Sequence, residues 1–547
     1  MSKAQKLSLF AIFVLAFVLR FWKLGDISFH FHADESSIAY NAYSLIKTGR
    51  DMYGQTFPIL FRANGSYQPP VYTYLTTIPV FLFGNTIFAA RFVSAFSGVL
   101  LVILSFYFWK FFGLGKKEEK ILQGVFAALF VAISPWSVHF GRLTAEGNLV
   151  VLVFGLGVFF TLLSLEKSRR QTLFFVLGCL FLGLSTHTYY TERVTAFLYI
   201  FFFIILSRNY FKANKKALLY GFFVFLLFIL PHLYIAKTGA LTRRLAQVGY
   251  FSDPAFVNSD FSGKVLFAFK NFAGHYLDYF SPKNLFFNSG NELGRVGPDL
   301  SVFYPLFLFL AVLGLRGFIN NIDRNIVKVF SFLILISPVP AGLTGDIFFP
   351  IRVLVFLWLI TNIISYGFYM VFKFIKNGLF RLLVFSLLLI YSLFILYTSR
   401  FVLFKYRIVN SEGSFPYLKL LKQIDKYREN KIYIDRTDRA WGIGTVSAYI
   451  LGADPYLMQN NLKSQLITPY YSGEVNPYEI FVIDNIIIKP IEWGEICGKD
   501  LLLVGDRFSV SQDQMKSHFL TKVFEIEDLR GEAYLFGYNT NKPCSER

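Results

Sequence analysis

Charged side chains are scarce in this chain. They make up 16% of its 547 residues, against about 25% in ordinary soluble proteins, and that shortage excludes a soluble enzyme. Acidic residues are the scarcer sign, with 35 Asp and Glu against 54 Lys and Arg and a formal net charge of +19. Such an excess suggests nucleic acid until its distribution is read. Residues 1 to 401 hold 36 basic and 16 acidic side chains and residues 402 to 547 hold 18 and 19, so the excess lies wholly in the hydrophobic part and points to membrane topology, with no nucleic acid as partner. Cysteine is nearly absent, three residues in all, which excludes a disulfide-rich scaffold. Cys179 falls in an apolar run and reads as a small buried side chain, while Cys497 and Cys544 lie in the polar C-terminal region and pair only if that region is outside the cytoplasm. No Gly-rich phosphate loop, Ser-His-Asp arrangement or redox motif stands in a supporting context, and Gly442-Ile-Gly444 is too short to carry meaning. Internal repeats and low-complexity tracts are missing as well.

What is present is apolar and aromatic: 54% hydrophobic residues, 19% aromatic, and 67 Phe. The apolar blocks are long enough to cross a bilayer core, which takes about 20 helical residues. They predict eleven spans, near 7 to 24, 87 to 109, 121 to 138, 148 to 165, 172 to 188, 194 to 207, 217 to 236, 301 to 318, 326 to 344, 351 to 372 and 379 to 400. The first resembles a signal peptide, but Arg20, Phe21, Trp22 and Lys23 follow it in place of a small-residue cleavage site, so we read it as retained. The turns Lys110 to Lys120, Glu166 to Arg170, Arg208 to Lys216, Arg316 to Lys328 and Lys373 to Arg381 each carry at least three Lys or Arg. The opposite short turns carry the single arginines Arg142, Arg193 and Arg352. The positive-inside rule then predicts a cytoplasmic N-terminus and, with an odd number of spans, an extracytoplasmic C-terminal region.

The expected organisation is a transmembrane domain over residues 1–401, with long outer loops at 25–86 and 237–300, followed by a soluble α/β domain at 402–547. In the first loop, Ile38, Ala42, Leu45 and Ile46 recur at helical spacing and Gly49 suits a C-terminal cap, so Asp34 and Glu35 are placed at the start of a short surface helix. Neighbours on a helix point apart, so these two are not a facing glycosidase pair. The helix dipole favours an ionised carboxylate there, which suits a general base; a capping Asp beside an exposed Glu is the plainer alternative. In the tail, Lys431 to Asp435, Ile480 to Asp484 and Leu501 to Gly505 read as strands and Tyr417 to Tyr427 as helical.

Ionisable groups at the edge of an apolar bundle are functional candidates. They gather on the outer side: Asp34, Glu35, Arg91, Arg142, Glu146, Glu192, Arg193, Asp346 and Arg352. For any single arginine, snorkelling to lipid headgroups is the competing explanation. His30, His32 and Asp34, two residues apart on an extended segment, leave a divalent cation open as a cofactor.

The segment HADESSIAYNAYSLIKTGRDMYG from His32 to Gly54, with YQPPVYTYL from Tyr67 and AARFVSAFSGVL from Ala89, resembles the start of the GT-C membrane glycosyltransferases of family 39, which include protein O-mannosyltransferases and lipid A aminoarabinose transferases. The likeness continues in SPWSVHFGRLTAEGN from Ser134, HTYYTERV from His187, FSPKNLFFNSGNELGRVGPDLSVFYPL from Phe280 and ISPVPAGLTGDIFFPIRVLVF from Ile336, and covers most of residues 7 to 400 in order. It implies inverting transfer of a sugar from a polyprenyl-phosphate donor to a hydroxyl of a protein, lipid or glycan, on the extracytoplasmic face of the plasma (inner) membrane. By the same resemblance Asp34 matches the family's base, Glu35 its neighbour, Arg91 the arginine of the donor phosphate, and Arg142 with Glu146 a further polar pair. Arg142, Arg193 and Arg352 are further phosphate candidates, and Glu146, Tyr67, Gln68 and Glu192 are substrate-binding candidates. Relatives often carry Lys before the Pro-Pro pair, where this chain has Gln68. Two rival functions have different signatures. A transporter or flippase of lipid-linked glycans places charges near the midplane in repeated halves, and an oligosaccharyltransferase-like enzyme uses a metal and a pyrophosphate donor.

Overall fold

A computed structural model describes residues 2–26, 31–288, 300–399, 414–427, 430–436, 442–496, 498–529 and 531–540. The chain divides into two compact units, one made of Met1–Leu24 with Arg91–Leu403 and the other of Gly25–Ala90 with Phe404–Arg547. The predicted boundary at 401/402 falls outside the described residues, and the first outer loop groups with the tail.

In the first unit all eleven predicted segments contain a helix. Among the described residues seven helices are long and apolar enough to cross a membrane: Lys3–Phe21, Ile87–Phe112, Glu146–Leu163, Lys215–Ala236, Arg324–Gly342, Pro350–Phe374 and Gly378–Tyr397. The other four predicted segments contain Lys117–Ile133, Gln171–Thr186, Glu192–Leu206 and Phe307–Asn321, of 17, 16, 15 and 15 residues. At about 1.5 Å per residue these fall short of a hydrocarbon core of about 30 Å. The bundle is packed by aromatic rings, and three buried indoles each spend their N–H: Trp109 Nε1 donates to Asn362 Oδ1 at 2.8 Å, Trp358 Nε1 to Ser105 Oγ at 2.9 Å and Trp136 Nε1 to Thr361 Oγ1 at 3.0 Å. An unmet N–H would be costly where no water competes. Helices Phe307–Asn321 and Leu354–Phe374 cross at glycines, where a Cβ on Gly314 would stand 2.1 Å from the Ile363 carbonyl and one on Gly367 2.0 Å from that of Leu310. Only hydrogen fits at that crossing.

The second unit holds a hairpin, β1 (Phe61–Ala63) with β2 (Ser66–Gln68), and a six-stranded sheet. The sheet comprises β3 (Lys431–Asp435), β4 (Phe481–Ile483), β5 (Ile486–Lys489), β6 (Leu501–Asp506), β7 (Thr521–Glu527) and β8 (Ala533–Asn539) in the order β4-β5-β3-β6-β8-β7. Strand β3 pairs in parallel with β5 and β6, and the remaining pairings are antiparallel. The strands predicted at 431, 480 and 501 are β3, β4 and β6. The helix predicted over 417–427 is an α-helix at Ser414–Leu421 and a 3-10 turn at Ile424–Tyr427. One apolar core joins the first-loop segment to the tail, with Ala39, Tyr40 and Ala42 beside Ile443, Val446 and Tyr449. Tyr40 Oη donates to the Ala453 carbonyl at 3.1 Å, Ser36 Oγ lies 2.7 Å from Thr445 Oγ1, and Gln459 Nε2 donates to Thr48 Oγ1 at 2.8 Å.

Candidate functional site

The predicted surface helix runs Ala33–Thr48 and ends at Gly49, whose φ of 69° is the left-handed cap conformation glycine favours. Its N-cap is His32, whose Nδ1 accepts from the Asp34 N–H at 3.4 Å, while Glu35 Oε2 accepts from the His32 N–H at 3.1 Å. The cap is therefore His32 closed by Glu35, and Glu35 is buried. This reverses the plainer expectation of a capping Asp and an exposed Glu, because the carboxylate three residues after the cap can reach back to it and the one two residues after cannot.

Asp34, half-buried, faces the hairpin. Its Oδ1 accepts from Asn64 Nδ2 at 3.2 Å and from Gln68 Nε2 at 3.5 Å. Asn64 sits at the tip of that hairpin with Gly65, both at positive φ (51° and 71°), as a two-residue turn requires. Gln68 Nε2 also donates to Ser37 Oγ at 2.9 Å. Both donors are neutral amides that leave the carboxylate charge in place. Tyr67, on the same strand, is buried and donates through Oη to the Tyr470 carbonyl at 2.6 Å while accepting from the Ser472 N–H at 2.8 Å. It fastens the hairpin to the tail. Below it, Asp51 accepts from Tyr470 Oη and from the Tyr53 and Gln55 N–H groups, and burial, opposed by those bonds, pushes its carboxyl up to about 6.

The arginines lie in the other unit. Arg142 is buried and donates from Nη1 to the carbonyls of Leu19 and Arg20, both at 3.1 Å, and from Nη2 to that of Lys23 at 3.3 Å. It thus caps the C-terminal end of the first helix. Burial, and then Arg91, lower its pKa to about 10. Arg91 is fully buried and donates to the Leu24 carbonyl at 3.4 Å. Arg20, which sequence reading did not select, is a second internal clamp, reaching the Val131 carbonyl at 3.2 Å and Ser137 Oγ at 2.8 Å.

Arg352 and Arg193 are placed differently. Arg352 donates from Nη1 to Thr344 Oγ1 and from Nη2 to Asp346 Oδ2, both at 2.6 Å, and its guanidinium lies 4.1 Å from the Phe349 ring centre. Arg193 donates to the Thr186 carbonyl at 3.3 Å and lies 4.5 Å from the Tyr190 ring centre. Glu192 is buried and accepts from Thr191 Oγ1 at 2.7 Å, and Glu146 opens the helix Glu146–Leu163. Tyr189 feels several of these charges: desolvation raises its phenol above the ordinary range, and Arg352, Glu146, Arg244 and Glu192 act on it in that order. Tyr189 and Arg244 were missed in the sequence, where Tyr189 stands in HTYYTERV and the Arg243-Arg244 pair opens the second long outer loop.

Among the described residues no group of three or more His, Cys, Asp or Glu side chains is arranged to hold a metal. His30, Cys497 and Cys544 lie outside the described residues. Of the donors expected at His30, His32 and Asp34, His32 gives its Nδ1 to the helix cap and Asp34 faces the hairpin, while His30 is outside the described residues. Cys179 is buried and free.

Residues 67–235 match the family described as dolichyl-phosphate-mannose-protein mannosyltransferase. No curated protein matches the sequence. Among solved structures, ArnT from Cupriavidus metallidurans is similar both in the apo state and bound to undecaprenyl phosphate, each with a TM-score of 0.56 and 13% identity over 96% of this chain and 97% of that one. The archaeal oligosaccharyltransferase AglB from Archaeoglobus fulgidus, in complex with an inhibitory peptide and a dolichol-phosphate, gives a TM-score of 0.51 at 14% identity over 94% of this chain and 70% of its own. At these identities the likeness is one of fold. The chain is a multi-pass membrane protein with the GT-C glycosyltransferase fold, and within it residues 67–235 resemble the mannosyltransferase family.

Proposed function

We propose that the protein transfers a sugar from a polyprenyl-phosphate donor to an acceptor hydroxyl, with inversion, on the extracytoplasmic face of the plasma membrane, its N-terminus cytoplasmic and its tail outside. The acceptor oxygen bonds to the anomeric carbon as the bond from that carbon to the phosphate oxygen breaks. Polyprenyl phosphate departs with the electron pair, and Asp34 takes the hydroxyl proton. A phosphate leaving group needs charge neutralisation more than a strong acid. Arg352 and Arg193 suit that task, since each is held by its surroundings at the edge of the bundle and the planar fork of Arg matches two phosphate oxygens. Arg91 is a further phosphate candidate, while Arg142 acts as a positioning residue through the end of the first helix. Glu146 and Glu192 are left to bind sugar or acceptor hydroxyls. A protein, lipid or glycan acceptor meets the same chemistry.

The observation that carries this reading is the division of labour between two adjacent carboxylates. Glu35 closes the helix cap, whereas Asp34 faces the hairpin, where Asn64 and Gln68 donate to its Oδ1. General base catalysis is worth about 10² to 10⁴ in rate, so Asp34→Asn is expected to lose that much turnover with donor binding kept. Glu35→Gln keeps a side chain able to close the cap and is expected to lose far less. Turnover and donor binding of the two purified variants in lipid test this, and a dead Glu35→Gln beside an active Asp34→Asn overturns it.

A further inference from the structure

The helix Phe261–Asp278, in the long loop between the helices Lys215–Ala236 and Phe307–Asn321, buries none of its residues. Five of its exposed side chains are large and apolar: Phe261 at 85%, Val265 at 54%, Leu266 at 68%, Phe269 at 69% and Leu277 at 63%. At about 100° per residue these five fall within an arc of about 160°. Phe272, Ala273 and Tyr276 share that arc, Phe272 and Tyr276 lying against Gly342; no charged side chain does, and its one aliphatic hydroxyl, on Ser262, bonds to Asp260 at 2.6 Å. Lys264, Asn271, His275 and Asp278 occupy the other side. A helix on the surface of a soluble protein turns its apolar stripe inward. Here the polar side meets protein: His275 Nδ1 is 2.7 Å from the Thr344 carbonyl oxygen.

The open face continues onto a membrane-crossing helix. Tyr276 Oη donates to the Leu335 carbonyl at 2.8 Å, and Leu335, within the span Arg324–Gly342, is itself 55% exposed. The helix is not one of the seven long apolar ones, since its polar side is too rich to be clothed in hydrocarbon. A broad apolar arc with five exposed large side chains, a polar side with Lys264 and with Lys270 at its edge, and continuity with an exposed apolar span are the marks of a helix lying in the interface plane.

We propose that Phe261–Asp278 is a membrane-interface helix, with Phe261, Val265, Leu266, Phe269 and Leu277 seated at the boundary between headgroups and acyl chains. Lys270, at the edge of the arc, extends toward lipid phosphates. The seat also fixes the depth of Thr344, whose hydroxyl accepts from Arg352. Resting on the topology proposed above, this is the outer leaflet, and Arg352 is thereby held at headgroup level, where the phosphate of a lipid-linked sugar lies.

Nitroxide labels test the seat in the full chain carrying Cys497→Ser and Cys544→Ser, with Cys179 left in place because it is buried. Leu266→Cys and Phe269→Cys are compared with Lys264→Cys and Asn271→Cys in nanodiscs of phosphatidylethanolamine and phosphatidylglycerol. Power saturation is measured with oxygen, which partitions into the bilayer, and with a water-soluble nickel chelate. Labels at 266 and 269 are expected to be several-fold more accessible to oxygen than to the chelate, with the preference reversed at 264 and 271. Val265→Cys repeats the measurement if a label at 266 or 269 unfolds the protein. Chelate access at 266 and 269 equal to that at 264 and 271 would put the face in water and overturn the proposal. Shielding from both reagents would do the same, by showing a protein surface, such as a second copy, in the lipid's place. The readout does not depend on turnover, so a failure of the transferase reading leaves it intact and distinguishable.

Discussion

A carboxylate serves as a base only when a lone pair is aimed at the proton it takes, and Asn64 and Gln68 help to aim Asp34. Gln68 gives it an N–H without a charge. Relatives that carry Lys at this place also present an N–H, so donation is the shared property. Gln68→Leu removes the donor at similar size and is expected to lower turnover about tenfold, the worth of one hydrogen bond to a charged group. Gln68→Lys is expected to stay within severalfold of the parent, and steady-state rates with a lipid-linked sugar decide between them. The residue types of the site were legible in the sequence because ionisable groups are rare in an apolar chain. Their tasks were less so. Arg142 presents the same side chain whether it meets a phosphate or the carbonyls of Leu19, Arg20 and Lys23, and a backbone carbonyl leaves no mark on the sequence. Glu35 and Asp34 were legible as a pair at a helix start, but which one closes the cap depended on His32 taking the N-cap position.

Among the elements, the helix Ala33–Thr48 was readable end to end because apolar periodicity, an N-terminal polar cluster and a terminal glycine agree. The glycine that seats it was not. Gly442 has an ordinary helical φ of −83°, but a Cβ there would stand 2.7 Å from Ala33 Cα, so its demand is for space and not for backbone freedom. Gly442→Val is expected to displace the first turn of the helix, destabilise the unit by about 1–3 kcal/mol and lower turnover. Faster hydrogen exchange over residues 33–40 would show the displacement. The helix Phe261–Asp278 and strands β5, β7 and β8 escaped sequence reading, the helix because its loop was read by its length alone. Asp51 supplies a prediction of pH dependence. Its carboxyl is held up to about 6 in the folded chain, against an unfolded value of about 4. Below about pH 4 both states are protonated and the group is neutral in effect. Between about 4 and 6 only the unfolded chain gives up the proton, so stability falls as pH rises, by about 3 kcal/mol in all. Asp51→Asn is expected to flatten that fall. Hydrogen exchange of residues 41–55 from pH 4.5 to 7, corrected for its intrinsic pH dependence, measures it, and an unchanged slope would mean that Asp51 ionises as in the open chain.

At the scale of the whole molecule, the distribution of basic residues predicts Lys116 and Lys167 in cytoplasmic turns and the tail outside. With an impermeant maleimide on intact cells, Lys116→Cys is expected to be protected and Ser511→Cys labelled, both positions being exposed on the protein. The reverse pattern would overturn the orientation. Composition made the membrane character plain, but not the grouping of residues 25–90 with residues 404–547, since pairing between segments so far apart depends on packing rather than on local pattern. That grouping has a consequence for biosynthesis. Translation is vectorial, so the Ala33–Thr48 helix leaves the ribosome hundreds of residues before the strands and the Ile443–Leu451 helix that complete its core. Until then Tyr40, Ala42 and the other residues of that core have no partner to close on. Asp34 would thus acquire its setting last, after the membrane helices are already inserted, and a nascent or truncated chain would expose a segment that chaperones and proteases can recognise.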